Sequence, residues 1–371
     1  MIRQKVTPRV GYQQKLEGVG LSFHSWDNYW KEDVCYKFTA DQVDMIETAT
    51  EELHQMCLEA VDYTIKNNRL GDLHIPSLYH AEIKRSFNHR DFHLYGRFDF
   101  AYDGKDNLKM LEYNADTPTS LLESAVAQWY WMEDKFPNCD QFNSIHDKLV
   151  AHWASFPGTE TIHVSSLKDN EEDWVCSMYL VDTIVQANRR AKYIAIEDIG
   201  YDNDRTAFVD MEGEEISTLF KLYPWEWMMR EDFGKHVIVS NTQFIEPIWK
   251  SVLSCKGILP ILWEMFPNHK NLLPAYFTPN GMKSYAKKPI FSREGANIGL
   301  YSDGNIISSD DGPYGKEGFI YQELYDLPCF DGKYPIIGSW VVGDNAAGMC
   351  VREDTKLITT NMSNFVPHYF E

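Results

Sequence analysis

The 371-residue sequence is short of positive charge: 35 lysines and arginines face 55 aspartates and glutamates, for a formal net charge of -20. Nucleic acid and anionic membranes are polyanions that proteins usually meet with a basic surface, so no general attraction to either is expected. A nucleotide ligand is not excluded, because a phosphate site needs only a few local cations and backbone N–H groups. Long apolar runs are missing as well. None approaches the roughly 18 residues of a membrane span, and the opening MIRQKVTPRVGYQQK lacks the apolar stretch of a secretory signal. A cytoplasmic protein is expected. The seven cysteines, at 35, 57, 139, 176, 255, 329 and 350, are odd in number and form no CxxC pair, which fits reduced thiols better than a disulfide framework or a zinc ribbon. His89 and His93 have a spacing that suits zinc on a helix, but no third ligand of similar signature lies near them. There is no GxxxxGK[ST] phosphate loop and no GxSxG nucleophile element.

What is present is apolar and aromatic: 44% hydrophobic and 14% aromatic residues allow a large core and two or three packed subdomains. No repeat or Pro/Ser-rich linker divides the chain, so the subdomains should be interwoven. Thr39 and Gln42 have capping-box spacing before apolar positions at Val43, Ile46, Leu53, Met56 and Val61, which predicts one long helix. HLYGRFDFAYDGKDNLKMLEYNADT alternates on either side of Asp103-Gly104 and predicts a β-hairpin. Ser120 with Glu123 suggests a second capping box opening a helix through SAVAQWYWMEDKF. TIHVSSL, DWVCSMYLVDTIVQANRR and YIAIEDIG read as strand, helix and strand of a parallel sheet. Short strands are expected at HVIVS and FIEPIWK and a helix near KGILPILWEMF. The segments KKPIFSREGANIGLY, GFIYQELYDL, YPIIGSWVVGD, AAGMCVRE and KLITT then read as an antiparallel sheet with glycine-bearing turns. The class is α/β, of a mixed α+β kind.

The hairpin carries the most chemistry. Arg97 and Asp99 lie two apart on one strand, Glu112 and Asn114 two apart on the next, so alternation puts each pair on one face. If the faces coincide, three hard oxygen ligands meet beside a guanidinium, a set suited to Mg²⁺ bridging polyphosphate oxygens. The same spacing also fits an exposed strand face with one ordinary Arg–carboxylate pair. Thr117, Thr119 and Ser120 follow at a predicted helix start, where free N–H groups favour an anion; simple capping is the alternative. Lys288 precedes the glycine-containing turn SREGAN. A lysine there can clamp phosphates, although such a segment is more often a surface loop.

Taken in order, YGRFDFAYDG, LEYNADTPTSLLE, KLYPWEW, EPIWK, KGILPILWEMFPNHKNLLP, KPIFSREGANI, IYQELYDLP, DGKYPIIGSWVVG and MCVRED resemble the synthetase part of the glutathionylspermidine synthase family over nearly the whole chain, most of all its single-domain acid–amine ligases. The resemblance implies an ATP-grasp-like synthetase with a Rossmann-like pre-ATP-grasp subdomain. It suggests one unit over 1–371, divided into a helical part with the metal and substrate hairpin (1–150), a pre-ATP-grasp α/β part (151–250) and a nucleotide-binding sheet (251–371). It implies an enzyme forming a carbon–nitrogen bond between a small or peptide carboxylic acid and an amine, with ATP and Mg²⁺, through an acylphosphate. Asp99, Glu112 and Asn114 would be metal ligands and Arg97 the catalytic residue at the γ-phosphate. Arg97, Phe98, Asp99, Lys256, Lys288, Gly295, Gln322, Leu357, Ile358 and Thr359 would meet the nucleotide. Thr117, Thr119, Glu172, Asp173 and Arg352 would meet the substrates, and residues 292–297 and the segment around Gly312 would form lids.

Departures from the family pattern also matter. Leu222 stands where the synthases have a hydroxyl residue, and Asn364 near where they have an aspartate for the polyamine. Losing these groups should weaken recognition of glutathione and of a cationic polyamine, so other substrates are expected. The family's cysteine amidase is not expected in this chain. An ATPase or phosphotransferase, and a nucleotide-binding module without turnover, are the alternative readings.

Overall fold

A computed structural model describes residues 1–371 apart from the side chain of Asn28. β1 (Ile2–Lys5) pairs antiparallel with β2 (Val34–Phe38), and α1 (Tyr12–Gly18) lies between them in the chain. Thr39 then opens α2 (Ala40–Lys66). Its hydroxyl accepts from the Gln42 N–H at 3.3 Å and the Gln42 amide oxygen accepts from the Thr39 N–H at 3.2 Å, which satisfies two donors left free at the helix start. Val43, Ile46, Leu53, Met56 and Val61 form its buried stripe. After α3 (His80–Asn88) comes the expected hairpin, β3 (Tyr95–Tyr102) and β4 (Leu108–Asn114).

The second capping box does not form. Ser120 adopts a left-handed φ of 67°, its hydroxyl lies 3.1 Å from Tyr29 Oη, and Tyr29 donates to Glu123 at 2.6 Å. One tyrosine from far upstream takes both box residues, and the helix continues through a π-turn at Glu123–Ala127 into α4 (Gln128–Lys135). α5 (Ile145–Ser155) precedes the strand–helix–strand unit: β5 (Ile162–Ser166), α6 (Glu171–Gln186) and β6 (Ala191–Ala195), with β5 and β6 parallel. A small hairpin, β7 (Gly200–Asp202) and β8 (Ala207–Val209), leads to β9 (Thr218–Lys221), α7 (Trp225–Met228) and β10 (Gln243–Ile245), completing a parallel sheet of order β10-β9-β5-β6.

The HVIVS strand is a misreading. Residues 234–240 coil into a 3₁₀ turn and local turns, with Val237 bonded to Gly234 O and Ser240 to His236 O. A Cβ on Gly234 would lie 1.9 Å from Met228 O, so this segment is pressed onto the end of α7. In FIEPIWK only Ile245 and its upstream neighbours form a strand, and Ile248–Lys250 is a 3₁₀ turn.

α8 (Ser251–Ser254) and α9 (Ile258–Met265) precede the C-terminal strands. These make two sheets where one was expected. β11 (Ala275–Tyr276), β12 (Tyr285–Pro289), β13 (Gly299–Ser302), β14 (Asn305–Ser309) and β15 (Phe319–Glu323) form an antiparallel sheet of order β11-β15-β12-β13-β14. β16 (Tyr334–Val342), β17 (Asn345–Asp354) and β18 (Asn364–Val366) instead join the hairpin in the order β18-β17-β16-β3-β4, and β19 (His368–Phe370) runs parallel to β2. KLITT (356–360) is no strand; it stays irregular as a wall of the cavity described below. The class is mixed α/β, as expected. Among the described residues no helix is long and apolar enough to cross a membrane.

Candidate functional site

Antiparallel register sets Arg97 directly opposite Asn114 and Asp99 directly opposite Glu112, so the two faces coincide. Arg97 Nε donates to Asp99 Oδ1 at 2.7 Å, and its Nη1 donates to the Thr119 carbonyl at 2.7 Å. Burial would lower the guanidinium's pKa, but the Asp99 charge outweighs it and keeps Arg97 firmly protonated. The Asn114 amide nitrogen lies 3.2 Å from both Asp99 Oδ2 and Glu112 Oε1. Asn114 therefore touches both carboxylates, and with its amide turned to present the carbonyl the three head groups would offer three hard oxygens to one cation. That donor set fits Mg²⁺. Among the described residues no group of three or more His, Cys, Asp and Glu gathers as a metal site, since the third oxygen here belongs to an amide. His89 follows the end of α3, and His93 is directed to Asp344 at 3.3 Å.

Two lysines face the same carboxylates. Lys256 Nζ is 3.0 Å from Glu112 Oε2 and donates to Ser292 O at 2.9 Å. Lys288 Nζ donates to Gln322 Oε1 at 2.7 Å and to Leu111 O at 2.9 Å. Burial pushes the Glu112 carboxyl upward, but Lys256 and Lys288 together overcome it and hold it at about 2. Burial also brings Lys288 down to about 8 despite Glu112. The result is a compact patch in which the Asp99 and Glu112 carboxylates alternate with the Arg97, Lys256 and Lys288 cations.

This patch opens into a cavity of about 190 Å³ between the two antiparallel sheets. Asp99, Glu112, Asn114, Arg97, Lys288 and Gln322 line its charged side. Leu357, Ile358 and Thr359, with Ala286, Ile298 and Leu300, supply an apolar wall. Thr117, Thr119 and Arg352 line it too, the Thr119 carbonyl being the acceptor of the Arg97 bond. Arg352 donates to the carbonyls of Thr360 and Asn361 at 2.8 Å each, which ties the irregular 356–361 segment to β17. Gly295 also lines the cavity, with φ of 76°. A Cβ there would fall 2.6 Å from Thr359 O and 2.7 Å from Ile358 Cγ2, so only glycine lets the turn approach that wall. The Gly312 segment packs on this turn, with the Tyr314 N–H donating to Asn297 Oδ1 at 2.8 Å.

Five expected residues are not part of the cavity lining: Lys256, which reaches Glu112 from outside it, and Phe98, Ser120, Glu172 and Asp173. Phe98 points to the opposite face of β3, fully buried and stacked 3.8 Å from Tyr113, because adjacent strand residues alternate; its side chain cannot meet a nucleotide in the cavity. Glu172 and Asp173 occupy the first turn of α6, half-buried and outside the cavity wall. Burial and the Glu172 charge push the Asp173 carboxyl up to about 7. Ser120, bonded to Tyr29, does not reach the cavity. Leu222 is buried in the core.

Sequence reasoning missed Arg293 as an individual residue. Its Nη1 donates to Thr117 Oγ1 at 2.6 Å, its Nη2 lies 3.4 Å from Glu226 Oε1, and its guanidinium is 5.6 Å from the Trp227 ring centre. Its place in the SREGAN turn was the available signal. Glu123, also missed, is buried beside Tyr29; burial and the Glu172 charge push its carboxyl up to about 7.

A family model described as glutathionylspermidine synthase preATP-grasp matches residues 3–371. A Haemophilus influenzae protein that carries the name acid–amine ligase as a provisional label is 44% identical over 96% of both chains. The bifunctional glutathionylspermidine synthetase/amidase of Escherichia coli is 29% identical over 90% of this chain, which spans 58% of its length. Trypanothione synthetase of Crithidia fasciculata is 28% identical over 83% of this chain and 52% of its own. Among solved structures, a glutathione synthetase-like effector of Globodera pallida superposes with a TM-score of 0.59 over 99% of this chain and 98% of its own; at 11% identity the likeness is one of fold.

Proposed function

The chain belongs to the glutathionylspermidine synthase family, and on that premise we propose that it joins a carboxylic acid to an amine with ATP and Mg²⁺, forming an amide through an acylphosphate. The observation that carries this reading is the single face on which Arg97, Asp99, Glu112 and Asn114 meet, with Lys256 and Lys288 beside them. A mere nucleotide-binding module has no chemical need for all four hairpin residues.

Asp99, Glu112 and the carbonyl of Asn114 would hold Mg²⁺, which supplies charge neutralisation at the transferred phosphoryl group. Arg97 leaves its Asp99 partner to stabilise negative charge that develops there, a role in which prearranged cations are worth most. Lys256 and Lys288 hold phosphate oxygens. Gln322 and the wall of Leu357, Ile358 and Thr359 take the base. Thr117, Thr119 and Arg352 orient the acid, and Glu172 and Asp173, outside the cavity lining, would meet a substrate only beyond that wall. The 292–297 turn and the Gly312 segment keep water from the activated acid. Leu222 and Asn364 depart from the family pattern at positions expected to bear on glutathione and on the polyamine, so the panel of acids and amines extends beyond glutathione and spermidine. No nucleic acid or membrane surface takes part.

The test is to incubate the protein with Mg²⁺ATP and a panel of peptides and amines, including glutathione with spermidine, and to search for amides by mass spectrometry. An amide formed in step with ADP supports the ligase. ADP without any amide favours an ATPase or phosphotransferase, and absence of nucleotide binding removes the reading altogether.

A further inference from the structure

Asp116 and Lys221 form an ion pair of 2.6 Å in which both side chains are fully buried. Taking two charges out of water is expensive, and well-packed apolar residues of similar size usually serve stability equally well. The pair therefore needs a reason other than stability, and its remaining contacts supply one. The second carboxylate oxygen of Asp116 accepts from the Trp225 N–H at 2.9 Å. Lys221 Nζ donates to Tyr223 O at 2.9 Å and lies 4.4 Å from the Trp225 ring centre, so the ammonium secures the turn that presents this N–H.

The next residue on each side is an Arg293 partner. Thr117 follows Asp116 and accepts from Arg293 Nη1 at 2.6 Å, while Glu226 follows Trp225 and lies 3.4 Å from Nη2. Asp116 thus fastens residue 116 to residue 225 one step before the two groups that receive the guanidinium. We infer that Asp116, through its bond to the Trp225 N–H, is the positioning residue that sets the gap between Thr117 and Glu226 and thereby docks the 292–297 turn over the cavity. Its catalytic consequence rests on the ligase reading. The docking itself does not, because every contact in it is between residues of this chain.

Hydrogen exchange of the 292–297 amides, followed by mass spectrometry on the full chain without ligand, tests this. Asp116→Asn with Lys221→Met removes both charges and keeps an acceptor for Trp225 N–H; Asp116→Leu with Lys221→Met removes the acceptor too. Loss of a hydrogen bond to a carboxylate predicts exchange in the turn about tenfold faster in the leucine pair. The asparagine pair should stay near wild type, with similar unfolding midpoints for both. If the leucine pair does not fold, Asp116→Val with Lys221→Met provides the same contrast. Equal exchange of the turn in wild type and in the acceptor-free variant overturns the inference. Failure of the wild type to turn over ATP would sink the proposed function while leaving this result intact.

Discussion

Lys288 donates from β12 to the Gln322 side chain on the neighbouring β15 at 2.7 Å, and the same ammonium reaches across to the Leu111 carbonyl on β4. One buried cation thus spans the two sheets that enclose the cavity. Because burial brings it down to about 8, Lys288 is charged below that pH and loses its charge above it, while Arg97 stays protonated. Affinity for a nonhydrolysable Mg²⁺ATP analogue should weaken as pH rises from 8 to 9.5. Lys288→Arg should flatten that dependence, because a guanidinium remains protonated throughout. Titration calorimetry across this range checks both.

Gly295→Ala should weaken nucleotide binding with a smaller effect on global stability. The added methyl meets Thr359 O and Ile358 Cγ2 at 2.6 and 2.7 Å, and the positive φ is strained for alanine. The turn or the apolar wall must retreat. A binding titration beside a thermal melt separates the two effects, and unchanged affinity would show that the wall does not meet the nucleotide.

Glu123 gives the fold a pH dependence of its own. Burial, with Glu172 nearby, raises its carboxyl to about 7 from an ordinary 4.5. The folded chain then holds a proton that the unfolded chain has released, so its stabilising contribution is complete below 4.5 and is lost as pH rises towards 7. Relative to Glu123→Gln, which keeps an acceptor for Tyr29, wild-type stability should fall over that window by about 1.4 kcal/mol per pH unit. Urea unfolding at pH 4.5, 5.5, 6.5 and 7.5 measures the difference.

The β3 strand is anchored by a second buried pair. Glu246 lies 2.7 Å from Lys250 and accepts from the backbone N–H groups of Leu94 and Tyr95. Glu246→Ala leaves Lys250 buried without its partner and should cost about 3–5 kcal/mol. Glu246→Gln with Lys250→Met should cost less. Chemical denaturation distinguishes them; equal losses would argue that packing, not charge, dominates there.

Much of the hairpin face was legible because it rests on a local period: two residues apart on each strand, around a turn marked by Asp103-Gly104. The Thr39 and Gln42 box was legible for the same reason, being complete within one turn of helix. Ser120 and Glu123 have equally good spacing, yet Tyr29, 94 residues before Glu123, claims both. Long-range choices of this kind leave no mark within a window of a few residues. The same holds for β16 and β17, whose sequences predict strands but not that the partner is β3 and not β15. KLITT has a strand's composition, but its Thr359 carbonyl packs closely against Gly295, and the carbonyls that follow it bond to Arg352. Arg293 sat in plain view within the SREGAN turn, but Thr117 and Glu226 become its partners only when three distant segments meet.

The central claim is tested most directly by ADP release from Mg²⁺ATP in the presence of the acid and amine panel, comparing wild type with Arg97→Ala and Asp99→Ala. Both variants should remain folded and lose turnover by about a hundredfold or more, the scale seen when one charge-stabilising group is removed from a prearranged site. Turnover at the wild-type rate in either variant would contradict it.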